Sequence, residues 1–391
     1  MNLLDQLVNI YREKFGHTPA HIVRSPGRVN LLGEHVDYNN GFVLPAAIDL
    51  ATYVVFSPTN ARRSTLVAVD FDQQASFSAE SISNKTQSDS SSLPEWALYP
   101  AGVMWSLMKE NLPLLNMNAV FASDVPRGSG LSSSASVEMA FMIAWQTLGG
   151  WTLPSMQRAL LGQKAENKYV GVNCGIMNQF ASACGVENKL LLLDCRSLEW
   201  KTIPLPENVS IIIADTTVRR KLTSGEYNKR RSACEEAVCL LQQDLPNIKT
   251  LRDVGVDDFN RLAKKLPRGI EKRARHVVEE IGRSNQAEAL LEAGDIHSFG
   301  RLMNQCHVSL RDLYEVSCPE LNMMVSIAQS LEGCYGARLT GAGFGGCTVN
   351  LVANEQVDNF SQALANGYES ETRLRPKIYI THASDGAELI Q

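Results

Sequence analysis

The sequence predicts an α+β protein with two domains, and three observations favour this fold class. First, the length of 391 residues corresponds to about two or three domains. Second, strand-like and helix-like apolar periodicities are mixed along the whole chain. Third, a proline-containing connection at 202–210, TIPLPENVS, separates two such mixtures, so we place the domains at 1–205 and 206–391.

Apolar residues of the first half follow strand or helix periodicity in several segments. Strands are predicted at 21–25, 52–57, 65–71 and 118–124, and helices at 95–109, 136–148 and 155–170. The serine-rich stretch at 81–94 ends in proline and indicates a surface loop, not a domain boundary. The second half begins with a strand at 210–218 and is helix-rich to about residue 331. It then ends with a glycine-rich segment, a helix and a strand.

Composition and charge exclude some classes of partner. The chain is 44% hydrophobic and 20% charged, with a formal net charge of −5, which gives no general electrostatic reason to bind nucleic acid or an anionic membrane. The first 16 residues resemble an amphipathic helix, not a signal peptide, and no apolar run approaches the ~18 residues of a membrane span. We therefore expect a cytoplasmic protein without nucleic-acid or membrane partners. The sequence indicates no particular protein partner.

The segment DVPRGSGLSSSASVEMAFMIAW predicts an anion site. Gly128 and Gly130 allow a tight turn after a strand, and Ser132, Ser133 and Ser134 offer hydroxyl and N–H groups where a helix begins. A helix N-terminus carries unpaired N–H donors and the positive end of the helix dipole, which together suit phosphate. The segment is not a Walker loop, because no Gly-Lys-Ser/Thr follows. The alternative is a serine-capped helix after a glycine turn.

The segment RSPGRVNLLGEHVDYNNGFVLP combines hydrogen-bonding side chains with glycines. Arg28, Glu34, His35 and Asp37 supply both donors and acceptors, a mixture that suits a polyhydroxylated ligand. The Asn-Gly pair at 40–41 is a strong tight-turn signal, so the alternative is a hairpin with a polar tip.

Two further features are ambiguous when taken alone. The segment GARLTGAGFGGCTVNLV contains a GxGxxG-like string, but a strand-like sequence follows it where a dinucleotide-binding motif requires a helix. A glycine loop between strands instead lets the backbone approach a ligand closely. Glu166 lies at the end of a helical pattern, where a solvated carboxylate is the ordinary interpretation.

Five strings of residues together resemble the galactokinases, within the GHMP family of small-molecule kinases. They are PGRVNLLGEHVDYNNGF, VPRGSGLSSSAS, AENKYVGVNCGIMNQ, VRRKLTSGEYNKRR and TGAGFGGCTV, and they span essentially the whole chain. The resemblance implies a two-domain GHMP-kinase fold with the active site in the cleft between the N- and C-terminal domains. It also implies an enzyme that uses ATP to phosphorylate a small-molecule substrate, galactose, at its anomeric hydroxyl.

The resemblance also implies roles on the sugar side of the site. Glu34, His35 and Asp37 would bind sugar hydroxyls, together with the backbone near Gly175 and the Tyr227 hydroxyl. Arg28 would stabilise the phosphoryl group during its transfer.

On the nucleotide side, the resemblance implies that the loop from Gly128 to Ser134 cradles phosphates, with Gly128, Gly130, Ser132, Ser133 and Ser134 as its binding residues. Ser134 and Glu166 would hold Mg²⁺, a hard cation that favours oxygen ligands. Trp96 and Tyr99 would flank the adenine, although helical spacing also allows them to be core aromatics of the helix at 95–109.

Asn178 departs from the family pattern. Galactokinases resembling this chain carry aspartate in GIMDQ, at the position of the general base, whereas this sequence has GIMNQ. An amide takes up no proton at neutral pH, although its oxygen accepts and its nitrogen donates hydrogen bonds. A positioned base contributes about 10²–10⁴ in rate, whereas phosphoryl transfer depends mostly on positioning and charge stabilisation. Three interpretations stay open: a silenced variant with intact binding, a natural ligand sensor, and a slow kinase without a base.

Val36 is a second departure, because these kinases usually have threonine in GEHTDY. Valine keeps the shape but loses a hydroxyl. The sugar preference is therefore open, and a sister kinase for another galactose-like hexose is an alternative.

Overall fold

The computed structural model describes residues 2–219 and 223–391 of the chain. Its helices are α1 (Leu3–Phe15), α2 (Ala79–Ile82), α3 (Leu98–Lys109), α4 (Ser133–Gly149), α5 (Ser155–Lys164), α6 (Met177–Cys184), α7 (Thr223–Leu241), α8 (Val256–Leu262), α9 (Arg268–Glu292), α10 (Ile296–Asp312), α11 (Pro319–Ser330) and α12 (Val357–Thr372). Its strands are β1 (His21–Asn30), β2 (Phe42–Val43), β3 (Pro45–Pro58), β4 (Ser64–Ala68), β5 (Gln73–Phe77), β6 (Met117–Ser123), β7 (Lys189–Asp194), β8 (Trp200–Pro204), β9 (Val209–Asp215), β10 (Cys334–Leu339), β11 (Cys347–Ala353), β12 (Lys377–Thr381) and β13 (Glu388–Leu389). Within the described ranges, none of these helices combines the length and apolarity needed to cross a membrane.

A six-stranded sheet organises the first half, in the order β13-β1-β3-β6-β4-β5. Helix α4 packs against β1 and β3, and its residues from Ala135 to Trp145 are almost all buried, because they are apolar around most of the helix. The predicted strand at 65–71 is shorter than expected. It ends at Ala68 because residues 69–71 form a 3₁₀ turn, and the Asp70 carboxylate there accepts a hydrogen bond from the backbone N–H of Ser123 at 2.8 Å.

A four-stranded antiparallel sheet, in the order β10-β11-β9-β12, organises the second half. Helices α10, α11 and α12 pack against it. The central strands carry continuous apolar runs such as Ile211–Ile213, which are fully buried because helices cover the sheet. The predicted α+β class is therefore confirmed.

The two halves of the chain are in extensive contact. The end of the chain returns to the first sheet, where β13 pairs with β1 at Val23 and Leu389. A third, three-stranded sheet has the order β2-β7-β8, and its strand β7 contacts β3 of the first sheet. Helix α9, from the second half, packs against both β2 and β8. The residue at which the two domains divide stays a prediction.

Candidate active site

The loop at 31–41, between β1 and β2, carries most of the residues predicted to bind sugar. Its backbone is left-handed at Gly33, with φ of 83°, and at His35, with φ of 61°. A side chain at Gly33 would overlap the backbone of Phe42. Left-handed φ is uncommon for a residue with a side chain and is enriched at functional sites, so His35 needs its surroundings to hold it.

Glu34 is held by the second half of the chain. Its carboxylate pairs with the guanidinium of Arg338 in β10, and both side chains are buried. The backbone N–H of Gly341 also donates to this carboxylate, at 3.0 Å. Arg338 is not among the residues predicted from the sequence, although a charged residue inside the strand-like GARLTG is a signal for it.

His35 lies in an aromatic cluster. Its ring is 5.4 Å from the ring of Tyr227 and 4.9 Å from that of Tyr314, and its Nδ1 is 3.0 Å from the Tyr38 hydroxyl. Burial lowers the pKa of His35 to about 3, so the ring is neutral at physiological pH. Tyr227 also contacts Tyr38, with 5.5 Å between ring centroids, so the structure brings the predicted residues His35 and Tyr227 together.

Asp37 and Gly175 lie against each other. A Cβ at Gly175 would overlap the Asp37 carboxylate, so glycine is the residue that leaves room for this side chain. Asp37 accepts a hydrogen bond from the backbone N–H of Tyr38 at 3.0 Å. Burial raises the pKa of Asp37 to about 6.

Arg28, in β1, joins the segment containing Asn178 to the loop containing Gly130. Its Nε donates to Asn178 Oδ1 at 3.0 Å, and its Nη2 donates to the same oxygen. Its Nη1 donates to the carbonyl oxygen of Gly130. Because a guanidinium only donates, the Asn178 amide turns its oxygen to Arg28 and its nitrogen away from it.

The start of α4 leaves its donors uncapped. Ser132 occupies the N-cap position with a left-handed φ of 60°, and among the described residues its side chain makes no capping hydrogen bond. The alternative of a serine-capped helix is therefore wrong, because Ser132 makes no capping hydrogen bond within the described part of the chain. Ser132, Ser133 and Ser134 are all partly exposed, as a phosphate cradle requires.

The glycines at 128 and 130 have the left-handed backbone that the sequence predicts, with φ of 63° and 84°. A Cβ at Gly130 would lie 2.5 Å from the carbonyl oxygen of Thr340, and one at Gly341 would lie 2.6 Å from the Cα of Gly130. The backbone of the glycine-rich segment that follows β10 thus packs against the backbone of the loop at 127–134, which we call the phosphate-type loop.

Glu166 is buried, so the solvated-carboxylate interpretation is wrong. It lies in a π-helical stretch, Ala165–Val170, that continues α5; such stretches are frequent at functional sites. Burial raises the pKa of Glu166, while hydrogen bonds from Cys174, Gln179 and Ser134 oppose the rise. Ser134 and Glu166, the two predicted metal ligands, are thus neighbours.

A second buried carboxylate, Glu138, escaped the sequence analysis. Gln179 Nε2 donates to Glu138 Oε2 at 2.8 Å and to Glu166 Oε2 at 2.5 Å, so this amide bridges the two acids. The only sequence signal was an acid inside an otherwise apolar helix.

Trp96 and Tyr99 lie where the chain enters α3. Trp96 is buried, its Nε1 donates to Gln73 Oε1 at 2.8 Å, and its ring stacks with that of Phe71 at 6.2 Å. The Arg127 guanidinium lies 4.3 Å from the centroid of the Phe71 ring. Tyr99 is half-buried, and burial raises its pKa, with Glu166 and Glu138 contributing. Phe71, exposed by 39%, is an aromatic that the sequence analysis missed.

Comparisons with known proteins agree with this arrangement. The galactokinase galactose-binding signature matches residues 9–58, the GHMP kinases N terminal domain matches 99–186, and the GHMP kinases C terminal matches 287–370. A galactokinase of Roseiflexus sp. (strain RS-1) is 46% identical over 376 residues, which are 96% of this chain and 94% of that protein. A galactokinase of Chloroflexus aurantiacus is 42% identical over 377 residues, 96% of this chain and 95% of that protein.

Solved structures show the same fold. The crystal structure of Lactococcus lactis galactokinase complexed with galactose superposes with a TM-score of 0.93 at 33% identity, covering 99% of this chain and 100% of that one. The Methanococcus jannaschii mevalonate kinase has a TM-score of 0.64 at 19% identity, covering 94% of this chain and 99% of that one, and shows the shared fold alone. By family signature, full-length similarity and fold, the chain belongs to the galactokinase family of the GHMP kinases.

Proposed function

We propose that this chain transfers the γ-phosphoryl group of ATP to the anomeric hydroxyl of D-galactose, giving galactose 1-phosphate and ADP, with a chemical step slowed by Asn178. The observation that carries the proposal is the position of Arg28. One guanidinium reaches both Gly130, in the loop assigned to phosphate, and Asn178, beside the segment assigned to sugar. A cation between the two substrates is placed to stabilise charge on a phosphoryl group in transfer.

The sugar would be held by groups of complementary chemistry. Asp37 accepts hydrogen bonds when it is ionised, and the neutral His35 ring both donates and accepts. The ion pair with Arg338 fixes the Glu34 carboxylate in one orientation. The Tyr227 hydroxyl and the backbone at Gly175 would complete the set of sugar contacts.

The nucleotide would be held by the loop that opens α4. Gly128, Gly130 and the serines at 132–134 would cradle the phosphates, while Trp96 and Tyr99 would flank the adenine. The Ser134 hydroxyl and the Glu166 carboxylate fit Mg²⁺, which takes oxygen ligands and needs only one or two from the protein beside those of the phosphates. When bound, the metal neutralises the charge that develops on the transferring group.

Asn178 limits the chemistry in this arrangement. Its oxygen already accepts two hydrogen bonds from Arg28, so toward a sugar it offers an N–H donor. Such a donor orients a hydroxyl oxygen but removes no proton from it. Because the transition state of phosphoryl transfer is loose, slow turnover remains possible without a base.

Two measurements on the purified chain test the proposal. Calorimetry should detect galactose binding in the presence of a non-hydrolysable ATP analogue and Mg²⁺. NMR of a long incubation with ATP, Mg²⁺ and galactose should detect galactose 1-phosphate, with a sample lacking protein as the control. Absence of galactose binding would overturn the assignment of the substrate.

The contact between Arg28 and Asn178 also favours a second candidate, a sensor that binds galactose and ATP without turnover. It predicts the same calorimetric result but no product above the protein-free control. A partner protein that binds only when both ligands are present would then support it.

The surroundings of Val36 bear on the alternative that the chain phosphorylates another galactose-like hexose. The Val36 side chain is buried and packs against Gly41, and it belongs to the same apolar core cluster as Ile281, so its surroundings are apolar. Its carbonyl accepts hydrogen bonds from the N–H groups of Asn39 and Gly41, at 3.0 and 2.8 Å, so the loop closes without a hydroxyl. A panel of free hexoses tests this, and preferred use of an epimer would replace galactose by that sugar.

A further inference from the structure

The loop at 31–41 has its backbone held by side chains from helix α9, more than 240 residues further along the chain. The N–H of Gly33 donates to Glu280 Oε1 at 2.8 Å. The carbonyl oxygen of Glu34 lies 3.1 Å from His276 Nε2. His276 and Glu280 are fully buried and one helical turn apart, so α9 presents both to consecutive residues of the loop.

His276 has a single orientation that satisfies its neighbours. Burial lowers the pKa of His276 to about 3, so its ring is neutral and carries one N–H. A carbonyl oxygen only accepts, so this N–H is at Nε2 and donates to Glu34. Nδ1 then accepts from the hydroxyl of Ser309, which lies 2.8 Å away in α10. Two helices of the second half thereby fix one peptide carbonyl of the loop.

The position of that carbonyl matters because of the residue that follows it. His35 has a left-handed φ of 61°, a conformation that costs free energy for a residue with a side chain. The dihedral φ of His35 is the rotation about its N–Cα bond, and the nitrogen of that bond belongs to the same peptide unit as the Glu34 carbonyl. Holding this carbonyl therefore opposes relaxation of His35 toward ordinary backbone.

Glu280 is a fixed and charged acceptor. Burial alone would raise its pKa, but the positive charges of Arg283 and Arg338 lower it to about 2. Arg283 Nε donates to Glu280 Oε2 at 2.6 Å, and the Cys306 thiol donates to Oε1 at 2.9 Å. The carboxylate that receives the Gly33 N–H thus has little freedom to move.

We propose that His276 and Glu280 are positioning residues for the sugar: they hold the peptide units at 33–35 so that the side chains of His35 and Asp37 face the substrate. The inference rests on the proposed function, because it concerns the sugar half of that site. In this proposal His276 and Glu280 influence the affinity for sugar without contacting the sugar. The hydrogen bonds described for His276 and for the Glu280 carboxylate do not reach the loop at 128–134, so we expect the nucleotide half to be unaffected by them.

Two conservative variants of His276 separate positioning from packing. The amide nitrogen of His276→Gln reaches the place of Nε2 and keeps a donor for Glu34, whereas the amide of His276→Asn reaches only the place of Nδ1. We expect His276→Asn to raise the Kd for galactose about tenfold or more, because a buried carbonyl loses its donor. We expect His276→Gln to stay within about threefold of the parent, and the Kd of an ATP analogue to change by less than about twofold in both.

Hydrogen exchange tests the same inference without a sugar. In the free proteins, amides of residues 31–41 should exchange at least about threefold faster in His276→Asn than in His276→Gln, since local protection follows local hydrogen bonding. Equal galactose affinities and equal exchange in the two variants would overturn the inference, as would an equal weakening of galactose and the ATP analogue by His276→Asn. If the parent binds no galactose, the proposed function fails and the exchange comparison still decides whether His276 holds the loop.

Discussion

The sugar-side loop at 31–41 and the phosphate-type loop at 127–134 are both held by the second half of the chain, but by different means. Buried side chains hold the sugar-side loop: Glu280 on Gly33, and His276 and Arg338 on Glu34. The phosphate-type loop is held mostly by backbone contacts, including a hydrogen bond of 2.9 Å from Cys347 N to Ser129 O and the close approach of Gly130 to Thr340. One side chain of the second half adds to these contacts, because Arg219 Nε donates to Arg127 O at 2.9 Å.

The shapes of the two loops are therefore determined by different kinds of contact. Side-chain contacts fix the shape of the sugar-side loop, and they allow a strained residue, His35, to persist. Backbone contacts are the main constraint on the phosphate-type loop, while Ser132, Ser133 and Ser134 stay partly exposed and the helix donors stay uncapped by Ser132. Such a loop keeps groups available for an anion but tolerates no added atom where its glycines meet the neighbouring backbone.

Among the substitutions that test this comparison of the two loops, Gly130→Ala should have the largest effect, because it breaks the backbone contact. Its φ of 84° is unfavourable for alanine, and the new Cβ would lie 2.5 Å from Thr340 O. We expect the Kd for an ATP analogue to rise about 100-fold or more and the free energy of unfolding to fall by roughly 2–4 kcal/mol. Calorimetry and urea unfolding measure both.

Gly150→Ala is the matched control. Gly150 has a similar φ of 68°, but no described atom lies within 4 Å of a Cβ built there. Its unfolding free energy should fall by only about 1 kcal/mol, with unchanged nucleotide binding. Equal effects of the two substitutions would show that backbone strain alone, and not the contact between loops, matters at Gly130.

Asp37→Asn should separate stability from function on the sugar side. The pKa of Asp37, raised from 3.8 to about 6 by burial, corresponds to about 3 kcal/mol of destabilisation at neutral pH. The variant should therefore unfold with a free energy about 1–3 kcal/mol higher at pH 7 and bind galactose about tenfold or more weakly.

The stability penalty caused by Asp37 should depend on pH. Below about pH 3 the carboxyl holds its proton in both the folded and the unfolded chain, so the penalty is absent. The penalty grows as the pH rises from the unfolded pKa of 3.8 towards the folded pKa of about 6. The stability advantage of Asp37→Asn should therefore be much smaller at pH 4 than at pH 7, and an advantage that is unchanged at pH 4 would contradict this expectation.

Glu166→Gln should affect the metal without affecting the sugar. Removing the negative charge from the assigned Mg²⁺ position should raise the half-saturating Mg²⁺ concentration about tenfold or more. The Kd for galactose should change by less than about twofold, since the sugar loop has separate contacts. Unchanged Mg²⁺ dependence would remove Glu166 from the metal site.

The smallest effect is expected for Trp96→Leu, which should raise the KM for ATP by about three- to tenfold through loss of aromatic contact with the adenine. Trp105→Leu is the control, because Trp105 lies in α3, the helix that follows Trp96, but its ring packs against that of Tyr169, with 5.8 Å between centroids. If both substitutions raise this KM equally, Trp96 is a core aromatic and not part of the nucleotide site.

Much of the site could be predicted from local sequence, because glycine, serine and proline report local backbone. The left-handed glycines at 128 and 130 and the helix start at Ser133 follow from such signals. His276 and Glu280 could not be found in this way, because only tertiary packing brings α9 to residues 33–34. The helical pattern alone predicts a solvated Glu166, because only the folded chain brings Cys174 and Gln179 onto its carboxylate.

We propose that Asn178 stands at the position of the base and limits the rate. The decisive measurement compares single-turnover rates of the parent and of Asn178→Asp at saturating galactose, ATP and Mg²⁺. An aspartate there would keep oxygens for Arg28 and would also take the proton of the sugar hydroxyl. We expect the rate to rise by about 10²–10⁴ with dissociation constants within about threefold, whereas a rise of less than about tenfold would contradict the assignment of residue 178 as the base position.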